Sequence, residues 1–400
     1  MSEGQAESIS LLNRVRPDRP KPLFLLTDPN KDPDDLCALV LIRSLQEQRF
    51  VDLRCVLVTL GDLTMRTRRA RFARSVLSAL GLQDIPVGVG IDYIVEVRDA
   101  HGNIDSAATE KRRVEHQVFV ETSLDGPDAC VEIDGLSLIC RELQRIDDHS
   151  AVLLINAGMP DVAALLKTDS ALVKQKCSKV VIMGGVESEP DARGFAVADR
   201  RAYNNLMHQE SADYTYAQLQ ELRIPLVVVT KEAAYAAAAP RDFYDDIGDT
   251  GHPIGISLKD QQMRAMQHLW EGIHAGRLPP ALTPKWFFTT FTDVDLETSA
   301  GQAVFDTAGK NALSFGEIWR LVTKFNLYDP LALLAATPGV DELLFRPQVP
   351  EGVVTNVRVL GMNEIRDAVL VSNLFGALAL ESLNSVLPLK TRTDDQTPQT

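Results

Sequence analysis

Between Thr27 and Asp35 the chain reads Thr-Asp-Pro-Asn-Lys-Asp-Pro-Asp-Asp, with carboxylates at Asp28, Asp32, Asp34 and Asp35. Groups this close repel one another unless a cation neutralises them. No Cys or His stands among them. Ligation by oxygen alone suits a hard cation, calcium or magnesium. The spacing differs from an EF-hand loop, which needs Gly at its sixth position and Glu at its twelfth. Without a metal, the same stretch reads as a solvated turn in which Asp34 or Asp35 caps a helix.

Something must hold that stretch in place. Leu23–Thr27 reads as a short buried strand and Asp34–Gln46 as a helix. Further apolar runs at Leu53–Leu60, Ile85–Gly90, Ala151–Asn156, Lys179–Met183 and Pro225–Val229 alternate with helical stretches at Arg66–Leu80, Leu136–Arg145 and Val162–Lys167. Val353–Val359 and Ala368–Val386 supply a final strand and helix. Continuous Val/Ile/Leu runs separated by helices predict an α/β fold, a mostly parallel sheet with helices on both faces. Residues 1–21 read as a disordered arm, 22–388 as one domain, and 389–400 as a polar tail. Within the domain, 240–327 reads as a helical cap, with Trp286, Phe287 and Phe288 as packing within it. Ligands of open α/β sheets bind beyond the carboxyl ends of the strands. Asp28, Asp62, Asn156 and Met183 all lie at or just past such ends.

Bulk properties exclude several functions. The 400 residues are 45% hydrophobic, enough for a large core, and the net charge of −14 disfavours nucleic acid and anionic membranes as partners. The basic run Met65–Arg74 reads as the solvated face of a helix. Cys37, Cys55, Cys130, Cys140 and Cys177 are scattered, which argues against disulfides and zinc and for a reducing, cytoplasmic compartment. No run approaches the roughly 18 apolar residues of a membrane span. The polar N-terminus with Glu3 is not a Sec signal and is compatible with type III secretion. The seven histidines show no pairing at ligand spacing, and only His101 stands near a site loop. Neither G-x-G-x-x-G, a P-loop nor G-x-S-x-G occurs. Oligomeric state is not legible.

A strand ending in Thr-Asp-Pro, followed by Asp-Asp opening a helix, resembles the nucleoside hydrolase family. Four further pieces follow in that family's order: Ile155–Ala163, Val180–Gly185, Ala202-Tyr203-Asn204 and Tyr328-Asp329-Pro330-Leu331-Ala332. The resemblance implies a calcium ion held by Asp28, Asp35, Asp329 and the Asn156 carbonyl, with Asp28 also the general base. It implies ribose hydroxyls on Asp34 and Asn204, Asp62 beside the metal, and Met183 and Tyr203 in the pocket. The implied activity is hydrolysis of an N-glycosyl bond.

Three departures qualify that activity. The metal loop is two residues longer than the family's DPGxDD, so Asp32 competes with Asp34 for a role. Ala202 replaces the Glu that grips a free 5′-hydroxyl, in a longer loop carrying Arg193, Arg200 and Arg201. Tyr328 replaces the His that protonates the leaving base. With the Tyr203-Asn204-Asn205 run, these features resemble the nucleoside-hydrolase-like effectors that plant-pathogenic bacteria inject into host cells, the XopQ family. That branch implies an ADP-ribose-like ligand and a host protein partner, acting by sequestration or contact where turnover is lost.

Overall fold

In the computed structural model, which describes residues 1–98, 103–126, 128–278, 281–310 and 314–385, the apolar runs become strands. These are β1 (Lys21–Thr27), β2 (Val51–Val58), β3 (Val87–Val89), β4 (Ala151–Ile155), β5 (Cys177–Gly184), β6 (Leu226–Thr230), β7 (Ala239–Pro240), β8 (Lys324–Phe325) and β9 (Val357–Leu360). The helices of the first half are α1 (Glu3–Arg14), α2 (Pro33–Glu47), α3 (Leu63–Ala79), α4 (Ser106–His116), α5 (Gly135–Gln144), α6 (Pro160–Lys176), α7 (Tyr203–Met207) and α8 (Gln209–Glu221). Those of the second are α9 (Lys231–Ala236), α10 (Asp242–Asp249), α11 (Pro253–His274), α12 (Pro284–Phe291), α13 (Ser299–Lys310), α14 (Phe315–Leu321), α15 (Tyr328–Ala336), α16 (Val340–Leu344) and α17 (Ala368–Ser385).

A seven-stranded sheet runs β3-β2-β1-β4-β5-β6-β9, and every pairing in it is parallel. The order reverses between β1 and β4, so a crevice opens there at the carboxyl ends. Side chains alternate across the sheet. Leu23 and Leu25 of β1 join one core with α2, α3, α15 and α17, while Phe24 and Leu26 join another with α5, α6 and α8. Helices thus cover both faces, as the sequence pattern predicts.

Four expectations need correction or restriction. Residues 3–14 form α1 rather than a disordered arm. Ser2 and Gln5 make a reciprocal capping box, and Leu12 is buried against the core. Gly4 and Gly376 let α1 and α17 approach closely, since a Cβ at position 376 would lie 2.5 Å from Gln5 Nε2. A polar composition had hidden a helix with one buried face. The basic run on α3 is not wholly solvated: Arg66 and Arg69 are fully buried. Ala368–Ser385 is long and apolar enough to cross a membrane, yet it packs on α1, α2 and α10 as a core helix. His101 and the tail from 389 lie outside the described residues.

Residues 240–327 are helical, with β7 and β8 as a small antiparallel pair. Phe287 and Phe288 are buried against Trp270, so the aromatic cluster does pack internally. The region rests on α2 and α17. None of its described residues lines the cavity below.

Candidate functional site

The acidic loop leaves β1 at its carboxyl end and enters α2. Asn30 takes a left-handed backbone, φ 69°, a conformation Asn tolerates better than most residues. Pro33 starts α2, where its missing N–H costs no helical bond. That places Asp34 and Asp35 in the first turn, where the helix dipole favours negative charge. Asp35 turns back under β1, accepting from the Thr27 hydroxyl and, at 3.1 Å, from the Asp28 N–H.

Two other elements converge on the same crevice. Asn156 extends β4 beside β1, its N–H donating to the Leu26 carbonyl at 2.8 Å. Asp329 sits in the first turn of α15, and its carbonyl accepts from Asn156 Nδ2 at 3.4 Å. Carboxylate oxygens of Asp34, Asp35 and Asp329 lie within 4.8 Å of one another. Two carboxylates at about 4 Å repel by roughly 4 kcal/mol at intermediate dielectric. Burial pushes Asp28 up to about 6, although Lys31 and Arg69 pull it down. Burial, then the charges of Asp32 and Asp28, push Asp34 up to about 7. Burial and the neighbouring carboxylates also raise Asp35 and Asp329. Asp28 Oδ2 and Asn156 Oδ1 are buried without a hydrogen-bond partner. Orphaned oxygens beside crowded carboxylates fit a hard divalent cation. The Asp32 carboxylate is mostly exposed and lies 3.2 Å from Lys31 Nζ, so Asp34 and not Asp32 joins the cluster.

The cluster opens into a cavity of about 460 Å³. Its walls include Met183 and Gly184 from β5, Gly185 just past it, Tyr203 and Asn204 from α7, Lys231 and Glu232 from α9, and Tyr328. Asn204 Nδ2 donates to the Met183 carbonyl at 3.0 Å, which ties α7 to the strand end. Gly185 gives Ala202 room, since a Cβ on it would lie 3.2 Å from the Ala202 Cβ. Tyr328 is enclosed beside Tyr235, and burial raises its phenol well above the ordinary range. It can donate a hydrogen bond but holds its proton.

Most residues expected at the site therefore meet there: Asp28, Asp34, Asp35, Asn156, Met183, Tyr203, Asn204, Tyr328 and Asp329 all line the cavity. Asp62 does not. It is exposed and caps α3, accepting from the Met65 N–H at 2.8 Å. Arg193 and Arg200 are also absent from the lining. Arg193 pairs with Asp191 and Glu221, and Arg200, mostly exposed, lies 4.0 Å from the Asp213 carboxylate. Only Arg201 of the three reaches the cavity, paired with Asp199 at 3.0 Å.

Two supports escaped the sequence reading. Arg69 Nη1 donates to the Pro29 carbonyl at 2.7 Å, and Nη2 to the Val118 carbonyl. Asn30 Oδ1 accepts from the Val120 N–H at 2.7 Å. The segment after α4 is thereby fastened to the acidic loop. A signal existed: Arg66 and Arg69 share the i, i+3, i+4 stripe of Ala70, Ala73 and Val76, the face α3 buries. The second is Lys31, which reaches the cavity beside Tyr203.

Comparison with solved structures places the chain among relatives. It is 39% identical to the type III effector protein XopQ, solved in complex with adenosine diphosphate ribose, over 96% of this chain and 100% of that one, with a TM-score of 0.82. It is 38% identical to the effector protein XOO4466, over 96% and 99% of the two chains, with a TM-score of 0.80. A purine-preferring ribonucleoside hydrolase from Gardnerella vaginalis shares 14% identity over 90% and 99%, with a TM-score of 0.57, a likeness of fold alone. No family model matches the chain, and no curated protein does.

Proposed function

Because this chain belongs to the XopQ family of nucleoside-hydrolase-like effectors, we propose that its cavity binds a ribosyl compound substituted at the 5′-oxygen, of the ADP-ribose type, beside one calcium ion. The observation that carries this reading is one cavity holding both the carboxylate cluster and Ala202 in the place of an acid that would repel a 5′-phosphate, with the nearby Asp199 already paired with Arg201. Arg201 and Lys31 line the same cavity, and both cations suit phosphate.

Asp28, Asp35, Asp329 and the Asn156 carbonyl would hold the ion, with Asp34 close enough to share it. Asp34 and Asn204 would take the ribose hydroxyls, with Met183 and Tyr203 walling the sugar. A bound cation would orient a water and make it more acidic. Asp28 would then accept the water's proton, and the surrounding carboxylates would stabilise positive charge on the ribosyl ring.

Tyr328 favours a second reading, binding with weak turnover. A phenol that keeps its proton is a poor acid for a leaving base. In that form the protein, delivered into a host cell by type III secretion, acts by holding its ligand or contacting a host protein.

Calorimetry separates these claims. Chelator-treated protein should bind one calcium, and Asp28→Ala should abolish that binding. Unchanged binding in the variant removes the metal assignment. ADP-ribose should bind more tightly than adenosine with calcium present, and the reverse order overturns the ligand class. Ribose release should be slow from inosine and faster from p-nitrophenyl riboside if hydrolysis survives.

A further inference from the structure

Seven acidic side chains line the cavity, Asp28, Asp32, Asp34, Asp35, Asp199, Glu232 and Asp329, against three basic ones, Lys31, Arg201 and Lys231. The three cations are not equivalent. Arg201 is 76% exposed and pairs with Asp199, and Lys231 is 57% exposed and faces Glu232. Solvent screens both. The Lys31 side chain is only 12% exposed. Its Nζ lies 3.9 Å from the centre of the Tyr203 ring, 3.2 Å from Asp32 and 4.0 Å from Glu115. The Tyr203 hydroxyl donates to the same Glu115, so ring and ammonium are fixed together. Among the described lining residues, Lys31 is the one cation held in place and mostly shielded from water.

We propose that Lys31 is the charge-selecting residue of this cavity: its fixed ammonium favours ligands carrying an anionic group and opposes the cationic transition state of glycosyl cleavage. In that cleavage the electron pair of the C1′ bond leaves with the departing group, and the ring becomes positive. Water then bonds to C1′ and its proton passes to Asp28. A fixed positive charge raises the energy of the positive ring and lowers that of a bound phosphate. One side chain therefore moves the site from turnover toward retention. A lysine that merely offset the neighbouring carboxylates would affect all ligands alike.

The inference rests on the ribosyl-binding reading, and the experiment keeps the two apart. Wild-type binding of ADP-ribose and adenosine at saturating calcium tests that reading. Lys31→Met and Lys31→Arg then test this one, each checked for an unchanged unfolding midpoint, with Lys31→Gln replacing a Met variant that fails to fold. Removing the charge should weaken ADP-ribose by about tenfold, leave adenosine within about twofold, and speed ribose release from p-nitrophenyl riboside. Lys31→Arg should keep the wild-type pattern. Equal losses for both ligands, or no gain in riboside turnover, overturns the assignment even where wild-type binding is as expected.

Discussion

The two loops that meet at the cavity, residues 28–35 and 185–204, treat charge in opposite ways. In the first, Asp28 and Asp35 are buried without matching cations, and the cation behind them, Arg69, spends its hydrogen bonds on main-chain carbonyls. In the second, Arg193 and Arg201 each face an acid two residues away, in solvent. A buried charge without full compensation is poised to bind something; a paired exposed one has little left to offer. The difference explains why the acidic loop reads as the functional one. From the arginine-rich loop only Arg201 reaches the cavity, and it does so already paired with Asp199.

The comparison is broken most severely at Arg69. Arg69→Met removes a buried cation and leaves the Pro29 and Val118 carbonyls without donors, so urea unfolding should show a loss of about 3–5 kcal/mol. Arg69→Lys should recover part of it. A loss below about 1 kcal/mol would mean that the acidic loop needs no clamp.

Asp161, buried in the first turn of α6, extends the contrast to pH. It accepts from the Ile91 N–H at 2.6 Å, and burial pushes it up to about 6. Its folded pKa lies above its unfolded value of 3.8, so the folded state holds the proton longer. Its contribution to stability is therefore full below about pH 4 and falls by roughly 3 kcal/mol as pH rises through 6. Asp191 in the exposed loop has the opposite sign: the Phe195 and Arg193 N–H groups lower its pKa. Unfolding midpoints of Asp161→Asn should vary less between pH 4 and 7 than those of the wild type. An unchanged pH profile would remove Asp161 as the source.

Smaller effects belong to the exposed loop. Ala202→Glu should weaken ADP-ribose by about tenfold and shift the preference toward adenosine, read by calorimetry. An unaltered ADP-ribose affinity would show that the 5′ substituent lies elsewhere. Arg193→Ala should change stability by less than about 0.5 kcal/mol and leave ligand affinity untouched. A clear loss of affinity there would place the arginine-rich loop over the ligand after all.

The sequence alone determined the parallel α/β architecture, because Val/Ile/Leu runs of strand length separated by helices have few other ways to bury themselves. It also located part of the carboxylate cluster, since Asp34 and Asp35 are neighbours in the chain, although Asp32 of the same stretch stays outside it. Asn156 was also legible as a strand end, whereas Asn204 and Asp329 were legible only through a resemblance; the reversal of strand order between β1 and β4 opens the crevice in which Asn156 lies beside Asp28. Tertiary structure decided the rest. Asp62 follows a strand end just as Asp28 does, but it turns to cap α3 and leaves the site. Arg69 and Arg193 are the same residue type, each in a stretch rich in arginine. One lies on a buried helical stripe and the other on an exposed turn, and that placement fixes whether a guanidinium supports the site or only meets solvent. Lys31 follows the same rule: its charge was plain in the sequence, but its meaning comes from Tyr203 and Glu115, residues remote in the chain that hold it against the cavity.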